Sequence, residues 1–330
     1  MTSSTSDLDQ VILVWRETDD VIRKSFAALS MEFNSEWPGT LVIVSNGGLA
    51  STVSSAVALA RSAWRAARVV LVRIQVNSGF GRAINVGMMY TRARFVAVFN
   101  PDGVVADGCI AKLLSALDGD DLAFSVAASF ERLSPKSDSM LELPSSIVEI
   151  PAMPGGAVVL RRSAFNGVGG YDPMYFLYYE DDDLSVRARN SGWRLLRHLG
   201  AFYDHPPRAF GRIEGLRRIF VRALSEAQFV LRYATSRGVG LRTILGRRRR
   251  RLAELARSGS WPRWIVLLAS TLALVTRYGV VERRRRIPWS ESRLRKWSAA
   301  QMRVCEATEF RGGDVAIPSA PALDEDVPSA

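Results

Sequence analysis

The sequence predicts an α/β fold: a mostly parallel mixed sheet with flanking helices, followed by a basic helical segment. Three observations carry this. Short apolar runs alternate with helix-like stretches over the first hundred residues, the pattern of parallel strands joined by crossover helices. Polar and glycine-rich clusters fall at the C-terminal ends of those runs, where open α/β sheets bind ligands. Apolar residues make up 48% of the 330-residue chain, which gives a real core and rules out wholesale disorder or collagen-like order.

Residues 11–15 form a first apolar run, and Val21, Ile22, Phe26 and Leu29 then recur at helical spacing. Residues 41–44 read as a buried strand that ends at Asn46-Gly47-Gly48, and the Ala/Ser-rich stretch 50–67 as a helix. A third strand over 69–76 ends at Asn77-Ser78-Gly79, and a helix follows over 80–91. The fourth strand, 95–99, ends at Asn100-Pro101-Asp102-Gly103. Residues 123–151 are less regular. Beyond them come a strand over 156–160, a short helix over 163–168 broken by Gly169-Gly170, and an aromatic-rich stretch over 171–179. Glu180-Asp181-Asp182-Asp183 opens a helix that Gly192 stops, and 193–203 is strand-like.

The net charge of +11 is unevenly placed. Residues 1–207 hold 19 basic and 22 acidic side chains, 208–311 hold 25 and 7, and 312–330 hold four acids and no Lys or Arg. The division predicts a near-neutral catalytic domain over 1–207, a basic helical segment over 208–311 and a disordered acidic tail over 312–330. Arginine blocks at 247–251 and 283–286 flank an apolar segment over 261–281. That arrangement fits an interfacial element on an anionic membrane surface, a contact to an anionic lipid-linked diphosphate, a solvated helical face, or a helix packed on the catalytic domain. The uninterrupted apolar stretch, 264–276, spans about 20 Å at ~1.5 Å per residue, short of a ~30 Å bilayer core. Nucleic-acid binding is disfavoured, because no RNA- or DNA-binding motif accompanies the charge. Cys109 and Cys305 lie far apart and form neither a disulfide framework nor a CxxC site. Residues 1–10 lack the basic and apolar regions of a secretory signal. A cytoplasmic setting, peripheral to the cell membrane, is expected.

Several clusters could carry chemistry. Asp102, just past a buried strand, is placed to hold Mg²⁺ or Mn²⁺ on a diphosphate, although Asn-Pro-Asp-Gly is also plain turn chemistry. Gly79 and Gly81 would let the backbone and the amides of the next helix approach phosphate. The acids at 180–183 suit a helix N-terminus whether or not they are catalytic. His205 is one of two histidines and on spacing alone is a surface loop residue.

Together these clusters resemble family 2 glycosyltransferases of the GT-A fold, closest to the bacterial rhamnosyl- and galactofuranosyl-transferase-like branch. The resemblance covers roughly residues 11–205. It rests on Val42-Ile43-Val44-Ser45-Asn46-Gly47-Gly48, on Asn77 to Gly87, on Phe99-Asn100-Pro101-Asp102, and on a long block. That block runs from Gly155-Gly156 through Arg161-Arg162 and Gly169-Gly170-Tyr171-Asp172 to Glu180-Asp181-Asp182-Asp183-Leu184 and Arg187. The resemblance implies a metal-dependent, inverting enzyme. It would move a sugar from a nucleoside-diphosphate donor, dTDP-rhamnose-like or a UDP-sugar, to a hydroxyl of a lipid-linked or polysaccharide acceptor in cell-surface glycan synthesis. It implies metal binding by Asp102 with His205, and catalysis by Asp181 as general base beside Glu180. Donor contacts would come from Trp15, Arg16, Ser45, Asn77, Gly79, Asn100 and Asp102. Gly155, Gly156, Asp183 and Arg187 would lie on the acceptor side or support the base. Ser45 departs from the family's usual Asp and bears on base preference. It is the one hint of the alternative, a non-catalytic binding protein with weakened donor binding.

Overall fold

The computed structural model describes residues 5–130, 147–205, 211–286, 289–301 and 305–310. The expected acidic tail over 312–330 lies outside them. The chain begins β1 (Leu8–Val14), α1 (Asp19–Glu32), β2 (Thr40–Asn46), α2 (Ala50–Ala63), β3 (Arg68–Ile74), α3 (Phe80–Met88), β4 (Phe95–Phe99). It continues β5 (Val104–Val105), α4 (Cys109–Asp118), β6 (Ala123–Ser129), β7 (Ile147–Glu149), β8 (Ala157–Arg161), α5 (Arg162–Gly167), α6 (Glu180–Asn190) and β9 (Arg194–Asp204). Then come α7 (Arg212–Tyr233), α8 (Arg237–Arg257), α9 (Trp261–Arg286), α10 (Glu291–Gln301) and β10 (Glu306–Phe310).

The strands join in the order β10-β3-β2-β1-β4-β8-β6-β9-β5, with β7 on β9. β3, β2, β1 and β4 run parallel, and β8 turns the sheet antiparallel at β4. Both faces are buried, which is why the strands read as continuous apolar runs. Leu8, Ile12, Leu41, Ile43, Val69 and Leu71 face one core. Val11, Val42, Val44, Val70, Val72 and Val98 face the other. Inside β1, the buried Asp9 carboxylate accepts N–H groups of Thr40 (2.7 Å) and Ala93 (2.8 Å), pinning the approaches to β2 and β4.

Three elements differ from the sequence reading. β6, within the stretch expected to be irregular, is a fully buried strand. Its Ala-Phe-Ser-Val-Ala-Ala-Ser composition has weak strand propensity, and pairing with β8 and β9 on both sides overrides it. α4 is a helix that the sequence reading leaves unassigned; its Ile110, Leu113, Leu114 and Leu117 recur at helical spacing and are buried. The segment expected to be helical throughout 208–311 ends in β10, which pairs antiparallel with the edge strand β3.

The basic segment also packs closely on the sheet domain. Met174 and Tyr175, from the aromatic stretch, form one buried cluster with Ala227 and Leu231 of α7, Ile244 of α8, and Leu274 and Val281 of α9. The Trp289 indole N–H donates to the Gly169 carbonyl.

Candidate active site

The ends of β1 and β2 lie side by side, with Val14 opposite Ser45. Here the Arg16 guanidinium sits 5.0 Å from the Trp15 ring centroid, and the Trp15 N–H donates to Glu17 Oε2 at 2.6 Å. Ser45 is buried beneath this corner, so Trp15, Arg16 and Ser45 share one end of the sheet.

Asn46 organises the next loop. Its Oδ1 accepts the Ser78 N–H (2.8 Å), and its Nδ2 donates to Asn77 Oδ1 (3.1 Å) and the Gly79 carbonyl (3.2 Å). Asn77 Oδ1 also accepts the Gly79 N–H at 2.9 Å. Gly79 has φ +90° and ψ 170°, a region open essentially to glycine. A Cβ there would lie 1.9 Å from the Phe176 carbonyl oxygen. The Phe80 N–H donates to that same oxygen at 3.1 Å. The first amide of α3 is thus engaged by the aromatic loop, so of the amides expected to meet phosphate this one is already bonded. Gly79→Ala is expected to lower stability by about 1–3 kcal/mol through backbone strain alone, read as a fall in urea midpoint. An unchanged midpoint would show that this loop docks without the glycine.

At the end of β4, the Asn100 N–H donates to the Gly156 carbonyl (2.9 Å), and the Tyr203 hydroxyl donates to the Asn100 carbonyl (2.5 Å). β5 pairs with the end of β9, Val104 opposite Asp204, and this ladder brings Asp102 to His205. Asp102 Oδ1 lies 3.2 Å from His205 Nε2, and that hydrogen bond raises the imidazole pKa. Among the described residues, no three His, Cys, Asp or Glu side chains form a metal cage. A carboxylate and an imidazole still fit a hard divalent cation that takes its remaining oxygens from phosphate and water, the usual arrangement on nucleotide diphosphates.

The acidic helix starts under tension. Tyr178 and Tyr179 have φ of +66° and +65°, uncommon for bulky side chains, and Glu180 follows directly as the first residue of α6. Asp181 is partly buried; it accepts N–H groups from Asp182 (3.1 Å) and Gly155. Burial, with Asp182 adding to it, raises its pKa to about 6. Glu180 is more deeply buried, and its Oε2 has no hydrogen-bond partner among the described residues. Burial and the neighbouring Asp181 push its pKa well up. Gly155 and Gly156 form the turn between the two acidic centres. A Cβ on Gly156 would sit 2.4 Å from Asn100 Nδ2, and one on Gly155 would sit 3.7 Å from Asp181 Oδ2.

Residues 11–171 match the family model described as glycosyl transferase family 2. Over this stretch, a little under half of its length, the chain is similar to glycosyl transferase family 2. An N-acetylglucosaminyl-diphospho-decaprenol L-rhamnosyltransferase of Mycobacterium tuberculosis is 26% identical over 230 residues, 57% of this chain and 72% of that protein. Among solved structures, a mannosyltransferase from Pyrobaculum calidifontis in complex with GDP-Man and Mn²⁺ superposes with a TM-score of 0.52 at 15% identity. The match covers 90% of this chain and 84% of that one. Residues 1–349 of S. aureus TarS in complex with UDP-GlcNAc superpose with a TM-score of 0.53 at 12% identity, covering 90% and 91%. The fold is GT-A.

The sequence reading missed the ionic network behind α6. Asp183 Oδ2 accepts from Arg187 Nε (2.8 Å), while its Oδ1 accepts from the Tyr233 hydroxyl (2.7 Å) and lies 2.8 Å from Arg232 Nη1. Arg232 also bonds Asp172 Oδ2 at 2.7 Å, and Arg284 Nε lies 3.1 Å from the same oxygen. Arg187 donates in addition to the Val168 and Gly170 carbonyls, both at 2.6 Å. Asp183, Asp172, Arg187 and Arg232 are all buried. Arg187 and Asp183 therefore brace α6. The available signal was Arg232 itself, which adjoins the apolar positions Ala223, Ala227 and Leu231 of α7. A buried arginine there requires an acid opposite.

Proposed function

We propose that the chain transfers a sugar, with inversion, from a nucleoside-diphosphate donor to a hydroxyl of a lipid-linked or polysaccharide acceptor at the cytosolic face of the cell membrane. The observation that carries this reading is the Gly155-Gly156 turn. It touches Asn100 of the Asn100-Pro101-Asp102 loop on one side and Asp181 on the other, so a diphosphate-binding edge and a base adjoin across two residues without side chains. The rhamnosyltransferase relative supports a dTDP-rhamnose-like donor and a lipid-linked acceptor. The UDP-sugar complex of TarS supports a UDP-sugar equally well.

In this mechanism Asp181 takes the proton of the acceptor hydroxyl as its oxygen attacks the anomeric carbon. The bond from that carbon to the diphosphate oxygen breaks, and the diphosphate leaves with the electron pair. Asp181 is suited to the task because it is partly open to solvent and ionised above about pH 6, near the working range of a general base. Glu180, whose pKa is pushed up by deeper burial, serves as support. Asp102 and His205 would hold Mg²⁺ or Mn²⁺, whose chemistry there is neutralisation of charge on the departing diphosphate. Trp15, Arg16 and Ser45 would border the nucleobase. Asn77 and Gly79 contribute by fixing the loop between base and diphosphate.

Asp102→Ala is expected to weaken Mn²⁺-dependent binding of the nucleoside diphosphate by at least the roughly 10–100-fold that even a partner of a metal ligand is worth. Calorimetry with and without Mn²⁺ measures this. Equal affinity in the variant would remove Asp102 from the cation site. A thermal-shift screen of UDP-, dTDP- and GDP-sugars identifies the donor.

A further inference from the structure

α9 has two apolar faces, and the body of the protein uses only one. Leu267, Ser270, Leu274 and Val281 are buried, with Leu274 and Val281 in the cluster that includes Met174 and Tyr175. On another side, Trp261, Ile265, Leu268, Leu272 and Val275 are 39–74% exposed. Their 4-3-4-3 spacing, at ~100° per residue, sets them in one stripe about 80° wide and about 21 Å long. The same stripe continues through Gly279 to Arg283 and Arg286, both exposed. Contiguous exposed apolar surface of this kind marks an interaction site.

We propose that this stripe lies flat in the headgroup region of an anionic phospholipid bilayer, with its apolar residues in the acyl boundary and its terminal arginines on lipid phosphates. The proposal rests on the membrane-facing reading given above and names the surface that would serve it. Charge decides between possible occupants. A 4-3 stripe is also the seam of a coiled coil, but a second copy in parallel register would set Arg283 and Arg286 against their equivalents. No acid lies on the stripe to answer them in either register. Glu282, next to it, is already bonded to Arg237 and Arg286. An anionic bilayer supplies negative charge to Arg283 and to the exposed side of Arg286, beyond the one contact that Arg286 makes with Glu282.

The mode of contact also follows. α9 is 26 residues long and by length and composition could cross a membrane. Its inner face is nevertheless packed on the catalytic body, and its Arg284 is ion-paired to the buried Asp172. Crossing would break both, whereas lying flat breaks neither. The indoles of Trp261 and Trp264, with centroids 6.1 Å apart at one end, suit the interfacial depth.

The test is flotation of the full chain with phosphatidylglycerol–phosphatidylcholine vesicles, without donor or acceptor. The chain should float at low salt and partition less as salt rises. Arg283→Gln and Arg286→Gln should each lower partition roughly fivefold. Leu272→Glu, at a site 67% exposed, should lower it about tenfold or more with an unchanged melting temperature. Brominated lipid should quench fluorescence that Trp261→Phe removes. Recovery of the wild type only in the unbound fraction would overturn the proposal. So would a Leu272→Glu variant that floats like the wild type, equal binding to pure phosphatidylcholine, or a dimer abolished by Leu272→Glu. Donor binding is measured separately in solution, so failure of the membrane surface and failure of the transferase reading give different results.

Discussion

Asp181→Asn is expected to retain donor binding and to lose turnover by roughly 10²–10⁴-fold, the range a positioned general base contributes. The amide keeps the shape of the side chain and removes the proton acceptor. The pH dependence separates this from a loss of fold. In the wild type the base must be ionised, so the rate should rise with pH through about 6 and level off above it. As pH falls through that value Asp181 takes up its proton and activity falls with it. The residual rate of Asp181→Asn should lack this limb. Turnover under saturating donor and Mn²⁺, from pH 5 to 8, measures both. An Asn variant with wild-type turnover, or with the same acid limb, would assign the base elsewhere.

The second large effect concerns stability. Arg232→Met should destabilise the protein by about 3–5 kcal/mol, the cost of leaving a buried charge without its partner. Arg232 contacts both Asp172 and Asp183, so its removal leaves two buried carboxylates short of compensation. Each retains other donors: Arg284 on Asp172, and Arg187 with Tyr233 on Asp183. Urea unfolding at neutral pH reads the loss. Adding Asp183→Asn to Arg232→Met should cost less than the two single changes added together, because the second substitution removes a charge the first left exposed to a dry interior. A loss under about 1 kcal/mol for Arg232→Met would mean that water reaches the network.

Much of the fold was legible because the central strands are buried on both faces. Such strands read as unbroken apolar runs, and β4 was read to the residue. β6 was not legible, because its small residues gain strand structure only from neighbours on both sides. β10 was not either: Glu-Ala-Thr-Glu-Phe is a strand because β3 offers it an edge. The carboxylates of the site were visible as a run of four acids, but charge pattern could not rank them. Ranking comes from environment. Asp181 meets the Gly155 amide at a partly open surface, Glu180 is sealed without a partner at Oε2 among the described residues, and Asp183 is consumed by arginines. Asn77 was legible as important, but its visible contacts are to Asn46 at the end of β2 and to Gly79 in its own loop. The charge division at residue 207 concealed the most: two of the arginines counted in the basic segment neutralise buried acids of the catalytic body.

The link from Asp172 and Asp183 to Arg232 and Arg284 also constrains the order of events during synthesis. When the ribosome has made α6, Arg187 is in place, but Arg232 and Arg284, which also pair with the buried Asp183 and Asp172, have not yet been translated. The nascent domain can form the parallel strands, but the loop before α6 cannot settle until α7 and then α9 have emerged. A fragment ending near residue 207 would carry every motif residue of the site and still lack a finished catalytic centre.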